Sequence, residues 1–417
     1  MSVTRTSRPP EIPAKPTAPD GGGRRLRIAF ITAQLGVPWG GSEVLWSRAA
    51  TLAMREGHEV AVVSRRWPET PAPIAALRDA GARLFPRVVD PRGRLGRNVE
   101  RRLYPAPALA RWRPDVVCVS LSTFYDAMDV PLARLARAAG APYVLVCQQL
   151  DDRRGSPPMA ASSWLRSAAA DFCRGAARVA FVAEENRRSA ERQVAARLPN
   201  SCVVRNPVQL SSLDPVPWPA DDGEGPRLAC VARLQIGDKG QDALFEALAG
   251  PAMRGRPWRL RLFGEGRDRT YLEELATHLG IADRVEFRGH VGDVRSIWRD
   301  HHLLVLPSQV EGTPLALVEA MLCGRPALVT DVGGHREWVD EPGNGFVSPA
   351  ASGRELSAAL WRAWEARESW EELGRRARLD ALERFDPAPD RTLLRLLTGS
   401  AAPAAAPIPT PSPSEAP

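Results

Sequence analysis

The run HLLVLPSQVEGTPLALVEAMLCGRPALVTD, residues 302–331, decides the fold class. Its first part, HLLVLPS (302–308), is a short, continuously apolar stretch of the kind that forms a strand covered on both faces. Gly312-Thr313-Pro314 then makes a turn. A helix is expected to start near Pro314 or Leu315, because proline is accommodated in a first helical turn. RPALVTD (325–331) reads as a second strand. Strand, helix, strand at this spacing is a βαβ unit, which requires a parallel sheet. Two carboxylates, Glu311 and Glu319, bracket the turn and the apolar run. Leu317, Val318, Ala320, Met321 and Leu322 around Glu319 predict a buried setting for it. A core helix needs neither acid, whereas a pocket for a polyhydroxyl ligand bearing phosphates can use both.

The same unit recurs in both directions along the chain. LRIAFIT (26–32), HEVAVVS (58–64), PDVVCVS (114–120), PYVLVCQ (142–148) and ARVAFVA (177–183) read as strands separated by helical stretches. The stretch NPVQLSSLDPVPWPADDGEGP (206–226), with five prolines and an acidic glycine cluster, interrupts the pattern as a linker. It then restarts with RLACVA (227–232), WRLRLFG (258–264) and DRVEFRG (283–289) before the opening run. The chain of 417 residues is too long for one ordinary core. The expected division is a disordered tail over 1–24, a Rossmann-like domain over 25–208, a linker over 209–226 and a second Rossmann-like domain over 227–385. A last helix is expected over 386–399, and a second disordered tail over 400–417. The fold class is therefore α/β, with two doubly wound domains facing across a cleft. Ligands of such sheets bind outside the carboxyl ends of the strands.

Composition removes several classes. Hydrophobic content of 44% and charged content of 25% are ordinary for a globular protein. No uncharged apolar run is long enough for a transmembrane helix, and the N-terminus lacks the apolar segment of a secretory signal. The six cysteines are scattered without a C-x-x-C pair, which suits free thiols in a reducing cytoplasm. No His/Cys cluster has metal-ligand spacing. Residues 1–210 carry 32 Lys+Arg against 18 Asp+Glu, and residues 211–417 carry 24 against 31, so the net charges are +14 and −7. The basic residues are nearly all arginine. The only lysines are Lys15, in the tail, and Lys239.

Four further constellations fall after strands. In PWGGSE (38–43), Gly40 and Gly41 allow close backbone approach, Ser42 suits a helix N-cap, and the free N–H groups suit an anion. In VARLQIGDKGQD (231–242), Arg233 and Lys239 lie six apart on a glycine-containing loop that can fold both cations toward one diphosphate. In FGEG (263–266), Gly264 permits close approach of a ring. In TDVGGHRE (330–337), a glycine pair precedes His335, a type of loop histidine that is more often structural than catalytic. Neither a dinucleotide fingerprint nor a Walker A order is present.

Together these residues resemble a retaining glycosyltransferase of family 4, the group 1 transferases, with the GT-B fold, over about residues 26–398. The specific elements are Glu-x7-Glu at Glu311 and Glu319, the Arg233 to Lys239 loop, EAMLCGRPALVTDVGG and GGSE. The resemblance implies that Arg233 and Lys239 bind the nucleotide diphosphate, that Glu319 holds the nucleotide ribose, and that Glu311 lies near the donor sugar. It implies that backbone amides of Gly312, Thr313, Pro314 and Leu315 line phosphates and sugar, and that Gly40 and Gly41 face the diphosphate. It further implies a UDP-, GDP- or ADP-linked sugar as donor, no obligatory metal or cofactor, and a glycan or lipid-linked acceptor. In one respect the chain departs from the pattern. Where many members carry a histidine near the donor sugar, the segment VLVCQQLDD offers Gln148 and Gln149, which can hydrogen-bond a hydroxyl but cannot carry a proton. Asp151 or Asp152 is a further candidate there. His58, in a turn before a strand, reads as structural.

The expected setting is assembly of bacterial surface polysaccharide or glycolipid, in the cytoplasm or peripherally on the inner face of the cell membrane. The stretch 82–113 holds nine arginines against Asp90 and Glu100 and suits contact with anionic lipid, or equally a solvated face. Alternatives are a nucleotide-sugar epimerase or hydrolase, and a non-catalytic sugar-nucleotide-binding subunit. Nucleic acid is not an expected partner, since no recognition motif accompanies the basic charge.

Overall fold

A computed structural model describes residues 24–34, 36–87, 106–150, 163–220 and 223–401. Asp151, Asp152 and residues 88–105 of the arginine-rich stretch lie outside the described residues, as do most of the expected tails. Two all-parallel sheets organise the chain. The first contains β1 (Arg27–Thr32), β2 (Glu59–Arg65), β3 (Arg83–Arg87), β4 (Val116–Leu121), β5 (Tyr143–Cys147), β6 (Arg178–Phe181) and β7 (Ser201–Val203), in the order β3-β2-β1-β4-β5-β6-β7. The second contains β8 (Arg227–Val231), β9 (Arg259–Phe263), β10 (Val285–Gly289), β11 (Leu303–Leu306), β12 (Ala327–Thr330) and β13 (Gly345–Ser348), in the order β10-β9-β8-β11-β12-β13. Each half is a doubly wound α/β domain. The two face each other across a cleft, which is the GT-B architecture.

Alternation along each strand feeds two cores. In β1, Ile28 and Phe30 pack with Leu45, Trp46 and Ala49 of the helix Val44–Arg55, while Ala29 and Ile31 pack on the opposite face with Phe124 and Phe172. Every residue of β4 and β5 is buried, as strands covered on both sides must be. β3, β7 and β13 have no counterpart among the sequence-read strands. All three lie at sheet edges.

Two segments cross between the halves. The helix Pro389–Ala401 returns to the first domain and places Leu393, Leu394 and Leu397 against Leu45 and Trp46 in one cluster. Arg391 pairs with Glu56 at its start, at 2.8 Å. The proline-rich connection is fastened to the second domain through its carbonyls. Arg295 donates to Ser212 O and Asp214 O at 2.6 and 2.8 Å, Arg378 to Leu213 O at 2.6 Å, and Arg325 to Pro217 O at 2.5 Å. Arg325 is fully buried, and its other N–H groups are spent on carbonyls of Trp298, His301, Val216, Cys323 and Gly324. Several backbone acceptors of this connection, whose described residues form neither helix nor strand, are thus satisfied by guanidinium groups of the lobe it leads into.

Candidate functional site

The loops that leave the carboxyl ends of β8, β11 and β12 converge. After β8, the chain makes the short helix Ile236–Lys239 and turns at Gly240 with φ +61°, where a side chain would lie 2.2 Å from Pro307 O. Asp238 O accepts from the amides of Gln309 and Val310 at 2.8 and 3.2 Å. These bonds bring the Lys239 loop onto the loop after β11. There the Lys239 ammonium meets Glu311 Oε1 at 2.5 Å, and Ser308 Oγ donates to the same oxygen at 2.8 Å. Burial by itself would raise the Glu311 pKa. The Lys239 ammonium, helped by the Ser308 hydroxyl, outweighs it and holds the carboxyl below its usual range.

Behind this pair the hydrogen bonds continue. Thr330 Oγ1, at the end of β12, donates to Ser308 O at 2.5 Å, and Thr330 O meets His335 Nδ1 at 2.6 Å. His335 is fully buried in the turn His335–Glu337. Gly333, with φ +51°, and Gly334 give this turn its close packing, since a side chain at Gly333 would lie 2.3 Å from Glu311 O and one at Gly334 2.7 Å from Ala183 Cβ. Burial lowers the His335 pKa and keeps the ring neutral.

Glu319 lies in the helix Leu315–Leu322, for which Pro314 is the N-cap. Its side chain is buried at 4% exposure, and Oε1 accepts from the Gln209 amide of the connection at 2.7 Å. Burial pushes its pKa up to about 7, against which the single amide bond works only in part. Arg233, on the same loop as Lys239, has its carbonyl bonded by Gln241 Nε2 at 2.7 Å. Its side chain is exposed, and among the described residues no carboxylate pairs with it. Gly264 has φ +133°, and a side chain there would lie 2.2 Å from Ala232 O, so the close approach at this glycine is to the protein's own backbone.

The first domain presents the opposite wall. Gly40 and Gly41 open the turn Gly41–Glu43 after β1, and a side chain at Gly41 would meet Leu315 Cδ1 at 3.9 Å. The glycine loop therefore stands opposite the start of the Glu319 helix. Glu43 is buried beneath it and accepts from Trp46 Nε1 at 2.9 Å. Gln148, just past β5, is 5% exposed, and neither atom of its side-chain amide has a hydrogen-bond partner among the described residues. Gln149 donates to Val310 O at 3.4 Å. Leu150 and Glu311 form an antiparallel bridge, and Thr313 Oγ1 donates to Val182 O at 3.0 Å. Gly312 fits against Gln148 so closely that a side chain on it would lie 2.0 Å from Gln148 O. Arg205 and the amide of Glu185 both bond the Glu337 carboxylate, at 2.6 and 2.9 Å. His58 accepts from the Leu26 amide at 3.2 Å, a structural bond.

Lys239, Glu311, Gly312 and Thr313 are thus brought to one lip of the cleft, with Gln148 and Gln149 facing them. Ser308, Thr330 and the buried His335 complete this lip and were not singled out by sequence reading as a unit. Their link is a chain of bonds to backbone carbonyls, which has no spacing signature. Among the described residues no group of His, Cys, Asp or Glu could hold a metal ion.

Two family profiles match the chain. "Glycosyl transferases group 1" matches residues 225–366 and "Glycosyl transferase 4-like domain" matches residues 40–207. The chain is related to these glycosyltransferase domains. Among curated proteins it is 34% identical over 110 residues to an uncharacterized glycosyltransferase of Haemophilus influenzae, covering 26% of this chain and 31% of that protein. It is 30% identical over 139 residues to the alpha-D-kanosaminyltransferase of Streptomyces kanamyceticus, covering 33% of this chain and 36% of that protein. The matched stretches span about a third of the length of these relatives. Among solved structures, Anabaena HepE in complex with UDP and glucose superposes with a TM-score of 0.68 at 21% identity, covering 90% of this chain and 100% of that one. The lipopolysaccharide outer core galactosyltransferase WaaB superposes with a TM-score of 0.65 at 19% identity, covering 90% and 99%. Both likenesses are of fold.

Proposed function

We propose that the chain is a retaining glycosyltransferase, moving a glycosyl group from a nucleotide sugar to an acceptor hydroxyl in assembly of a bacterial surface polysaccharide or glycolipid. The observation that carries this reading is the lip where Lys239 and Glu311 pair beside the N-terminus of the Glu319 helix, opposite the Gly40–Gly41 loop. In this reading the diphosphate lies against Lys239, Arg233 and the backbone of Gly312, Thr313, Pro314 and Leu315. These groups stabilise the charge that builds on the departing diphosphate without an obligatory metal. The Glu319 carboxylate accepts from the ribose diol. Glu311 reads the donor sugar from one side, and Gln148, with its unpartnered amide, reads it or the acceptor from the other. A phosphate oxygen of the leaving group takes the acceptor's proton, since neither glutamine can. Closure of the two lobes orients the acceptor and excludes water. The solved complexes of HepE with UDP and with UDP-glucose support a nucleotide-sugar donor, UDP-linked in the first instance. The lipopolysaccharide outer core galactosyltransferase WaaB supports the pathway class. The excess of arginine in the first half supports work at a membrane surface of anionic lipid, and no helix of the described residues is long and apolar enough to cross a membrane.

A thermal-shift screen against UDP-, GDP- and ADP-sugars tests the donor, because a ligand that binds only the native state raises its stability. One class is expected to stabilise the protein, and Lys239→Ala and Glu319→Ala to abolish the shift and the transfer. Undiminished transfer in both variants overturns the assignment. The anomeric configuration of the product, read by NMR, decides retention.

A further inference from the structure

His335 Nε2 is a group of this lip that has no partner among the described residues and no role in the proposed reaction. Thr330 O can only accept a hydrogen bond, so the 2.6 Å contact places the proton of the neutral ring on Nδ1. Nε2 then carries a bare lone pair. It is fully buried and has no partner among the described residues. A buried acceptor without a donor is costly and calls for a ligand that supplies one.

The surrounding bonds say what kind of ligand that is. The Ser308 hydroxyl is spent on Glu311 Oε1, the Thr330 hydroxyl on Ser308 O, and His335 Nδ1–H on Thr330 O. Oε1 of Glu311 takes both Lys239 and Ser308, and no described group donates to Oε2. The turn that carries His335 is packed directly against the Glu311 segment, with Gly334 N donating to Gly312 O at 2.7 Å. What remains without a donor, on two segments packed against each other, is therefore two acceptors, Glu311 Oε2 and His335 Nε2. Phosphate and carboxylate oxygens bring only lone pairs to such a place. A sugar hydroxyl brings a hydrogen.

We propose that His335 Nε2 accepts a hydrogen bond from a hydroxyl of the transferred sugar, alongside Glu311, and so selects a neutral polyhydroxyl glycosyl group over an acidic one. The inference rests on the nucleotide-sugar reading of the same cleft. Ala183 of the first domain lies over the His335 turn, so the sugar enters when the lobes part and is read when they close.

The test uses the full chain and calorimetric affinities for UDP, GDP and ADP alone and for UDP-glucose, UDP-galactose, UDP-N-acetylglucosamine, UDP-glucuronate, GDP-mannose and ADP-glucose. In the wild type, one neutral sugar conjugate is expected to bind more tightly than its bare diphosphate. His335→Leu should lose about tenfold of that advantage, the scale of one buried hydrogen bond, while affinity for the bare diphosphate, which also reports correct folding, stays unchanged. His335→Gln, whose amide oxygen restores an acceptor, should recover part of it. The proposal is overturned if His335→Leu keeps the full sugar advantage, if it loses diphosphate and sugar conjugate equally, if the wild type gains nothing from any neutral sugar, or if glucuronate is the preferred sugar. Wild type that binds no diphosphate and no conjugate removes the nucleotide-sugar reading as well, an outcome distinct from the others.

Discussion

Glu319 shows how a single residue can couple binding to pH. Its carboxyl is raised to about 7 by burial, from an ordinary value of 4.5. The sign follows from linkage. Ionisation is harder in the folded state, so Glu319 contributes stability that is fully present below pH 4.5 and is lost as pH rises through about 7. A ribose diol donates hydrogen bonds to the ionised form and so favours it. Nucleotide binding below neutrality should therefore release a proton. Affinity should rise with pH, by at most about tenfold per unit, and level off above the folded pKa. Calorimetry in buffers of different ionisation enthalpy reads the proton directly. Glu319→Gln should weaken binding and flatten the pH dependence. A wild-type affinity that is constant from pH 5 to 8 would refute this account. Glu311 contrasts with Glu319 although both are buried. Lys239 lies against one, and among the described residues no cation lies against the other, so the first stays ionised and the second titrates near neutrality. The Glu-x7-Glu spacing was legible from sequence, and so was burial of Glu319 by its apolar neighbours. The opposite electrostatics of the two acids was not, because it depends on a lysine 72 positions away from Glu311.

Among elements, the central strands were legible, and so was the edge strand β10, while the edge strands β3, β7 and β13 were not. β4 and β5 are apolar throughout because helices cover both faces. β3, with the sequence RLFPR, and β7, with SCV, face a neighbour on one side only and need no such run. β3 can also hold a proline, which a central strand would not tolerate. The loop elements carry their own constraint. Gly312 is needed less for a turn than for the approach of Gln148 O, which leaves no room for a side chain. Gly312→Ala is expected to hold the lobes apart at this point while each domain keeps its fold. Transfer should fall by at least about tenfold, the scale of a misplaced reacting group, with far-UV circular dichroism unchanged and a larger radius of gyration in small-angle scattering. Wild-type activity in this variant would show that the Gln148 contact is dispensable for the reaction.

At the scale of the whole molecule, the two domains are joined three times: by the connection held on arginines, by the bonds across the cleft, and by the helix Pro389–Ala401. The helix matters most for stability of the first domain, because Leu393, Leu394 and Leu397 complete the core face formed by Leu45, Trp46 and Ala49. Leu393→Ala and Leu397→Ala should each cost about 2–5 kcal/mol, the range for buried leucine truncation. Thermal unfolding should show the first domain melting earlier, with the second little changed. A single unshifted transition would mean the helix is not integral to that core. The sequence by itself determined the α/β class, the two repeats of parallel strand units and the positions of glycines, lysine and carboxylates after strands. Those properties follow from local periodicity and turn chemistry, which each segment carries within itself. Only tertiary structure decided which of these residues meet, that Glu311 is paired while Glu319 is not, and that His335 ends a chain of bonds with an unfilled lone pair. Those properties depend on loops from different strands converging at the carboxyl ends of one sheet and on burial imposed by the opposite lobe, and no stretch of sequence encodes either alone.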